Sequence, residues 1–237
     1  MCGRFGFVKI LNEQGNYRWI RIINDVDLAF QDNKRSTLFS DTRYDVRPTQ
    51  YFPGIYQNSR GLADAENMRF GLFPSWSKKP IINARVENLV SSKLWKSHII
   101  KNRCIVVASY FYEWQDTGNK KTVPWIIRKK ESEYVYFAAL YAEEFDKKRN
   151  LAIKSFAIIT QNANSLMMKI HNHGVNKFRQ PVLLDDNQLD RWLDFRLQNL
   201  DDIMPCIRNY EADEINARPL AAIGDDLRHT APVELNQ

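Results

Sequence analysis

The sequence predicts an α+β fold: a strand-rich single domain with a curved sheet or open β-barrel core and peripheral helices. Three observations carry this reading. Short segments rich in β-branched and aromatic residues recur from Arg4 to Thr160, bounded by turn formers. Helical spacing occurs only in brief, scattered stretches. No Pro/Gly/Ser-rich linker, repeat or low-complexity tract divides the 237 residues, so residues 1–237 read as one domain.

Taken in order, Arg4–Ile10 reads as a strand leaving the N-terminus, and Asn24–Gln31 as a weak helix with Asn24 as its cap. Tyr51–Gln57, Asn67–Leu72, Cys104–Ala108, Phe111–Gln115, Pro124–Arg128, Tyr134–Leu140 and Ser155–Thr160 read as strands. Gly118-Asn119 marks a hairpin turn between two of them. Val86–Lys101 has helical spacing at Leu89, Leu94, Trp95 and Ile99. Asn164–Ile170 is a short helix running into His171. Leu189–Leu197 is a helix whose start is favoured by Asp185 and Asp186.

At 44% hydrophobic and 26% charged, the chain has enough apolar material for a core, which argues against disorder and coiled coil. No apolar run approaches the roughly 20 residues of a membrane span. Met-Cys-Gly-Arg-Phe is not a signal peptide, so no membrane association is expected. Cys2, Cys104 and Cys206 are odd in number and far apart, which gives neither a disulfide framework nor a CxxC metal spacing. A reducing, cytoplasmic location is expected, nucleoid-associated in a bacterium. A monomer is expected too, since nothing indicates an oligomer.

The formal charge of +6 is unevenly placed. Residues 1–184 total +13 and residues 185–237 total −7. Residues 69–103 hold eight basic residues against the single acid Glu87. Such asymmetry suits a polyanionic partner; a solvated surface whose halves neutralise each other is the alternative.

Cys2 follows the initiator methionine directly. If Met1 is removed, an α-amine and a thiol sit on adjacent carbons. The amine, with a pKa of about 7.7–8.0, is partly neutral at pH 7. Such an aminothiol condenses with an aldehyde: the amine forms an imine, and sulfur closes a five-membered thiazolidine. Arg4 is a positive neighbour able to lower the thiol pKa. A buried strand cysteine is the plainer alternative. Glu113, among the aromatics of Tyr110-Phe111-Tyr112-Glu113-Trp114, suits proton transfer near neutrality if desolvated, or faces solvent on an alternating strand. His171 is an acid–base candidate or a residue favoured at a helix C-terminus. With His173 two positions on and no third ligand, it makes no metal site. Asn83 is a polar candidate, a turn residue or a helix cap. Trp76, beside Lys78 and Lys79, suits base stacking with phosphate contacts, or packs in the core.

Five separated blocks together resemble one family. They are Met1-Cys2-Gly3-Arg4-Phe5; Arg43-Tyr44-Asp45-Val46-Arg47-Pro48-Thr49-Gln50; Arg69-Phe70-Gly71-Leu72-Phe73-Pro74-Ser75-Trp76 with Ile82-Asn83-Ala84-Arg85; Arg103-Cys104 leading to Phe111-Tyr112-Glu113-Trp114; and Ile158-Ile159-Thr160 leading to Ile170-His171 and Pro181-Val182-Leu183-Leu184. The order and content are similar to the SOS response-associated peptidase (SRAP), or abasic site processing, family over residues 2–184; the acidic part 185–237 matches loosely. Departures are Phe70 in place of tryptophan, Asp45 in place of asparagine, Gln180 in place of methionine, a longer stretch Asn172–Gln180 after His171, and extra length at residues 11–23.

The resemblance implies a protein that binds abasic sites in single-stranded DNA and forms a thiazolidine DNA–protein crosslink through Cys2 once Met1 is gone. By motif, Asn83 orients the N-terminal residue or the sugar, Glu113 moves protons, and His171 assists ring opening and resolution. Arg4, Pro48, Trp76 and Arg85 line the DNA channel, with Arg85 on phosphate. The family is also described as a thiol (auto)peptidase, and an imine permits lyase-type β-elimination. A peptidase using Cys2 as nucleophile and a non-covalent single-strand binder are the rival readings. No cofactor is required. The basic part is expected to form a channel leading to Cys2, with the acidic tail packed away from it.

Overall fold

The computed structural model describes residues 2–8, 42–118, 121–146 and 149–223. The helix expected at Asn24–Gln31 and the extra length at 11–23 lie outside these. The strands are β1 (Phe5–Phe7), β2 (Arg43–Val46), β3 (Tyr51–Gln57), β4 (Ala63–Phe70), β5 (Asn83–Arg85), β6 (Arg103–Ala108), β7 (Tyr110–Asp116), β8 (Thr122–Lys129), β9 (Val135–Asp146), β10 (Leu151–Asn162), β11 (Arg179–Pro181), β12 (Leu183–Leu184) and β13 (Ile215–Pro219). The helices are short: α1 (Lys96–Lys101), α2 (Ser165–Ile170), α3 (Leu189–Leu193) and α4 (Leu200–Ile203).

The expected strand-rich architecture is present, and its barrel is closed. Strands β4, β3, β6, β9 and β10 pair in succession. The ring is completed where β10 runs parallel to β4, Ser155 opposite Arg69. The long β9–β10 hairpin contributes the pairing from Leu151↔Asp146 to Ile158↔Ala139. Closure removes the open edges that a sheet otherwise exposes. A second sheet, β13-β8-β7-β1-β2, packs against it.

Phe5 joins the two sheets. Its ring meets Phe52 at 5.1 Å, Phe70 at 5.6 Å and Phe137 at 5.7 Å. Phe70, the departure from tryptophan, stacks on Phe156 at 4.9 Å inside this core. Aromatic pairs in such offset and edge geometries add to the burial of their large apolar area.

Two helical expectations need correction. Val86–Lys101 is not one helix: a single turn at Val86–Asn88 is followed by irregular chain, and only Lys96–Lys101 is α-helical. Leu189–Leu197 stops at Leu193, because the Arg103 guanidinium draws the carbonyls of Trp192, Asp194 and Leu197 onto itself. Arg103 also binds the carbonyls of Ile99 and Ile100. It is therefore buried and structural. Arg69 is likewise engaged, with Glu144 and Asp146. Two of the eight cations of 69–103 thus belong to the scaffold. Among the described residues no helix is long and apolar enough to cross a membrane, and no three His, Cys, Asp or Glu side chains converge to hold a metal.

Gly6 lies where β1 crosses the Tyr110 ring, and a Cβ there would fall inside the van der Waals radius of that ring. Gly6→Ala is expected to cost about 2–4 kcal/mol, read as a lower urea midpoint at unchanged slope. A loss below about 0.5 kcal/mol, the range of neutral surface changes, would show that β1 tolerates displacement.

Candidate functional site

Four of the residues singled out in the sequence come together around the start of β1. Strand β1 pairs antiparallel with β7, Phe5 opposite Phe111 and Gly6 opposite Tyr110. The Tyr112 amide donates to the Arg4 carbonyl at 2.9 Å. Continuing that register sets residue 3 opposite Glu113. Cys2 is fully buried, and the Asn83 amide donates to its carbonyl at 3.2 Å. Asn83 is neither turn nor cap. It lies on β5, parallel to β10 and opposite Ile158, whose carbonyl also accepts from it at 3.4 Å. His171 follows α2, where Asn164 caps the N-terminus by accepting from the Met167 amide at 2.9 Å.

Burial sets the protonation of all three titratable groups. It removes water from the charged form, raising acids and lowering bases. The Cys2 thiol is pushed well up by burial and by the charge of Glu113. Glu113, 2% exposed and not solvent-facing, is pushed up to about 7 by burial. His171 is pushed down to about 4, chiefly by burial. At pH 7 the imidazole is neutral and Glu113 is divided between acid and carboxylate. The His171 Nδ1 lies 3.0 Å from the Arg179 carbonyl and 3.3 Å from the Arg179 amide, which fix the ring's orientation. Nε2 faces Glu113 Oε2, 3.8 Å away. This arrangement can lend and recover a proton beside a thiol that stays neutral.

The DNA-contact candidates sit elsewhere on the surface. Arg85 is on β5 on the same face as Asn83, two positions along, exposed and bonded to Asn176. Trp76 is 69% exposed in a Pro74–Ser77 turn and so is no core tryptophan. Pro48 is half-buried in the turn closed by the Gln50 amide donating to the Arg47 carbonyl at 3.1 Å. Arg4 donates twice to Asp45, at 2.7 and 2.5 Å, and lies 5.3 Å from the Trp114 ring. Asp45 is partly buried, yet Arg4 and Arg47 hold its carboxyl below the usual range. The acid that departs from the family pattern thus offsets the Arg4 charge. The longer stretch after His171 is clamped at its base, the Phe178 amide donating to the His171 carbonyl at 2.8 Å. The extra residues loop outward, and β11 keeps its pairing with β10.

Three residues near the site were not singled out from the sequence. Arg179, beside His171, donates to both Glu87 oxygens, Asn162 and the Thr160 carbonyl. Its signal was the basic residue just before Gln180-Pro181. Thr160 is buried on β10, opposite Arg85. Tyr210 is buried, and its backbone carbonyl accepts from Asn164 at 3.0 Å. The acidic tail therefore does not simply pack away from the site.

A model of the family described as SOS response associated peptidase (SRAP) matches residues 1–223. The chain is 29% identical over 222 residues to abasic site processing protein YoqW of Bacillus subtilis, covering 84% of this chain and 96% of that protein. It is 25% identical over 200 residues to abasic site processing protein HMCES of Xenopus tropicalis, covering 70% of this chain and 55% of that protein. Among solved structures, a protein of Bordetella bronchiseptica superposes with a TM-score of 0.68 at 19% identity, over 93% of this chain and all of its own. One of Bacteroides thetaiotaomicron gives 0.65 at 23% identity, over 79% and 81%. These two likenesses show the fold.

The raised pKa of Glu113 has a consequence for stability. Its folded value of about 7 stands above the ordinary 4.5, so its favourable contribution is full below 4.5 and lost as pH rises through 7. Glutamine escapes that loss. Glu113→Gln should be more stable than the wild type at pH 8 by on the order of 2–3 kcal/mol, the gap closing by pH 5. Thermal unfolding at the two pH values measures it. A variant less stable than wild type at pH 8 would contradict the assigned burial cost.

Proposed function

The chain belongs to the SOS response associated peptidase (SRAP) family, and from that premise we propose that it captures abasic sites in single-stranded DNA as a covalent thiazolidine through Cys2 after loss of Met1. The observation that carries the reading is a buried Glu113 tuned to about 7 beside Cys2, Asn83 and His171. The printed names of the relatives, abasic site processing proteins, support it.

The chemistry follows from these groups. An abasic sugar opens to an aldehyde at C1′. Neutral His171 accepts the C1′ hydroxyl proton and a proton passes to O4′ as the C1′–O4′ bond breaks, so the imidazole returns to its neutral form. The Cys2 amine, held through its carbonyl by Asn83, adds to C1′. Glu113, in its acid form, gives a proton to the departing hydroxyl, and water leaves an imine. The imine nitrogen still carries its proton; the thiol then adds to C1′, the C=N π pair returns to nitrogen, and the thiol proton passes to the Glu113 carboxylate. One water is released and nothing is oxidised. A group that gives and then recovers one proton works best with a pKa near the ambient pH. Exposed Arg85 and Trp76 supply a phosphate contact and a stacking surface. The peptidase reading is weaker, because it leaves the exposed Trp76 and Arg85 without a use.

The test is incubation of the Met1-processed protein with an abasic single-stranded oligonucleotide. A heat-stable adduct is expected, absent for Cys2→Ala and slowed at least about a hundredfold for Glu113→Gln. The rate should be bell-shaped in pH and centred near 7, since both forms of Glu113 take part. Equal adduct from Cys2→Ala would sink the proposal.

A further inference from the structure

Three buried polar atoms near Cys2 have no hydrogen-bond partner among the described residues: Asn83 Oδ1, Thr160 Oγ1 and the Tyr210 hydroxyl. Leaving such a group unpaired is costly, so three together mark a place built to receive polar atoms from outside. Asn83 and Thr160 are close neighbours here, because β5 and β10 run side by side with Asn83 opposite Ile158 and Arg85 opposite Thr160.

Tyr210 reaches the site from a different direction. Its carbonyl is held by Asn164 and Gln180. Asn164 caps the helix that ends at His171, so one short helix fixes both residues. Tyr210 is buried in the main hydrophobic core. Burial, with the nearby acids Glu113 and Glu214, holds its hydroxyl protonated well above the usual tyrosine range. It can therefore donate a hydrogen bond throughout the neutral range and never compete as a proton acid.

Resting on the crosslinking reaction above, we infer that Tyr210 is a further catalytic residue: its hydroxyl donates to the oxygen at C1′ while the Cys2 amine adds to the aldehyde. In that step the nitrogen lone pair forms the N–C1′ bond and the C=O π pair moves to oxygen. A fixed donor aimed at an oxygen where charge develops lowers the barrier without reorganising at the moment of reaction. One N–H proton passes to that oxygen, and Glu113 supplies the second as it leaves as water. Tyr210 sits in the tail, outside every sequence block that resembles the family.

Tyr210→Phe keeps the ring and removes only the oxygen. The Met1-processed variant and wild type are compared in two reactions, with abasic single-stranded DNA and with butanal, which needs no DNA binding. Mass measurement follows the adduct on Cys2. The expected result is a first-order rate at saturating DNA about 10- to 100-fold lower, unchanged DNA affinity, a similar slowing with butanal, and an unfolding temperature no lower than wild type. Unchanged rates in both reactions would overturn the role of Tyr210 and leave the crosslinking reading standing. A lower unfolding temperature would also overturn it, because the hydroxyl would then be a structural bond. If wild type reacts with butanal but not DNA, the DNA reading fails and the butanal ratio still decides Tyr210. Reaction with neither overturns both.

Discussion

The site depends on how little chain separates the N-terminus from the barrel core. Phe5 is locked among Phe52, Phe70 and Phe137, and β1 is paired on both sides, with β2 and β7. Cys2 stands three residues earlier and has no slack. It is held buried beside Glu113, with its carbonyl bound by Asn83. An N-terminus is ordinarily among the most mobile parts of a chain. Here the chain around Cys2 is anchored, and in the proposed reaction that anchoring would position its amine and thiol, since orientation is a large share of catalysis.

The same burial sets the proton chemistry and carries its cost. Water withdrawn from around Glu113, His171 and Cys2 moves the first up and the second down until neither is fully charged at neutral pH, and keeps the thiol protonated. The scaffold answers with charges satisfied elsewhere. Arg103 gathers five backbone carbonyls, Arg179 spans Glu87 and β10, and Arg208 joins Asp185 to Glu214. These interactions hold the walls around the Asn83, Thr160 and Tyr210 side-chain oxygens, unpartnered among the described residues.

Much of this was legible in the sequence, for identifiable reasons. Strands β6 to β8 stood out because β-branched and aromatic residues were bounded by turn formers, and the Gly118 hairpin sits between β7 and β8 with Asp116 opposite Thr122. The four candidate site residues were named from local context and resemblance. Their joint burial was not readable, because it arises from pairings between distant segments such as β1 with β7 and β5 with β10. Val86–Lys101 misled because its apolar spacing serves packing against the barrel from irregular chain: Leu89 and Trp95 are buried outside any α-helix. Strand β5 was missed because three residues carry no period. Charge counting overstated the basic stripe, since Arg69 and Arg103 are spent inside the scaffold. Tyr210 had no local signal, as only the return of the acidic tail brings it beside Asn164 and Gln180.

The central claim is a single bond arrangement at Cys2. Proteolysis of the purified DNA adduct followed by mass measurement of its N-terminal peptide tests that most directly. The account predicts a peptide beginning at Cys2, Met1 absent, carrying the oligonucleotide with the loss of one water and with no free thiol at Cys2. A peptide that retains Met1, or an adduct mapped to a lysine with the Cys2 thiol still free, would contradict it.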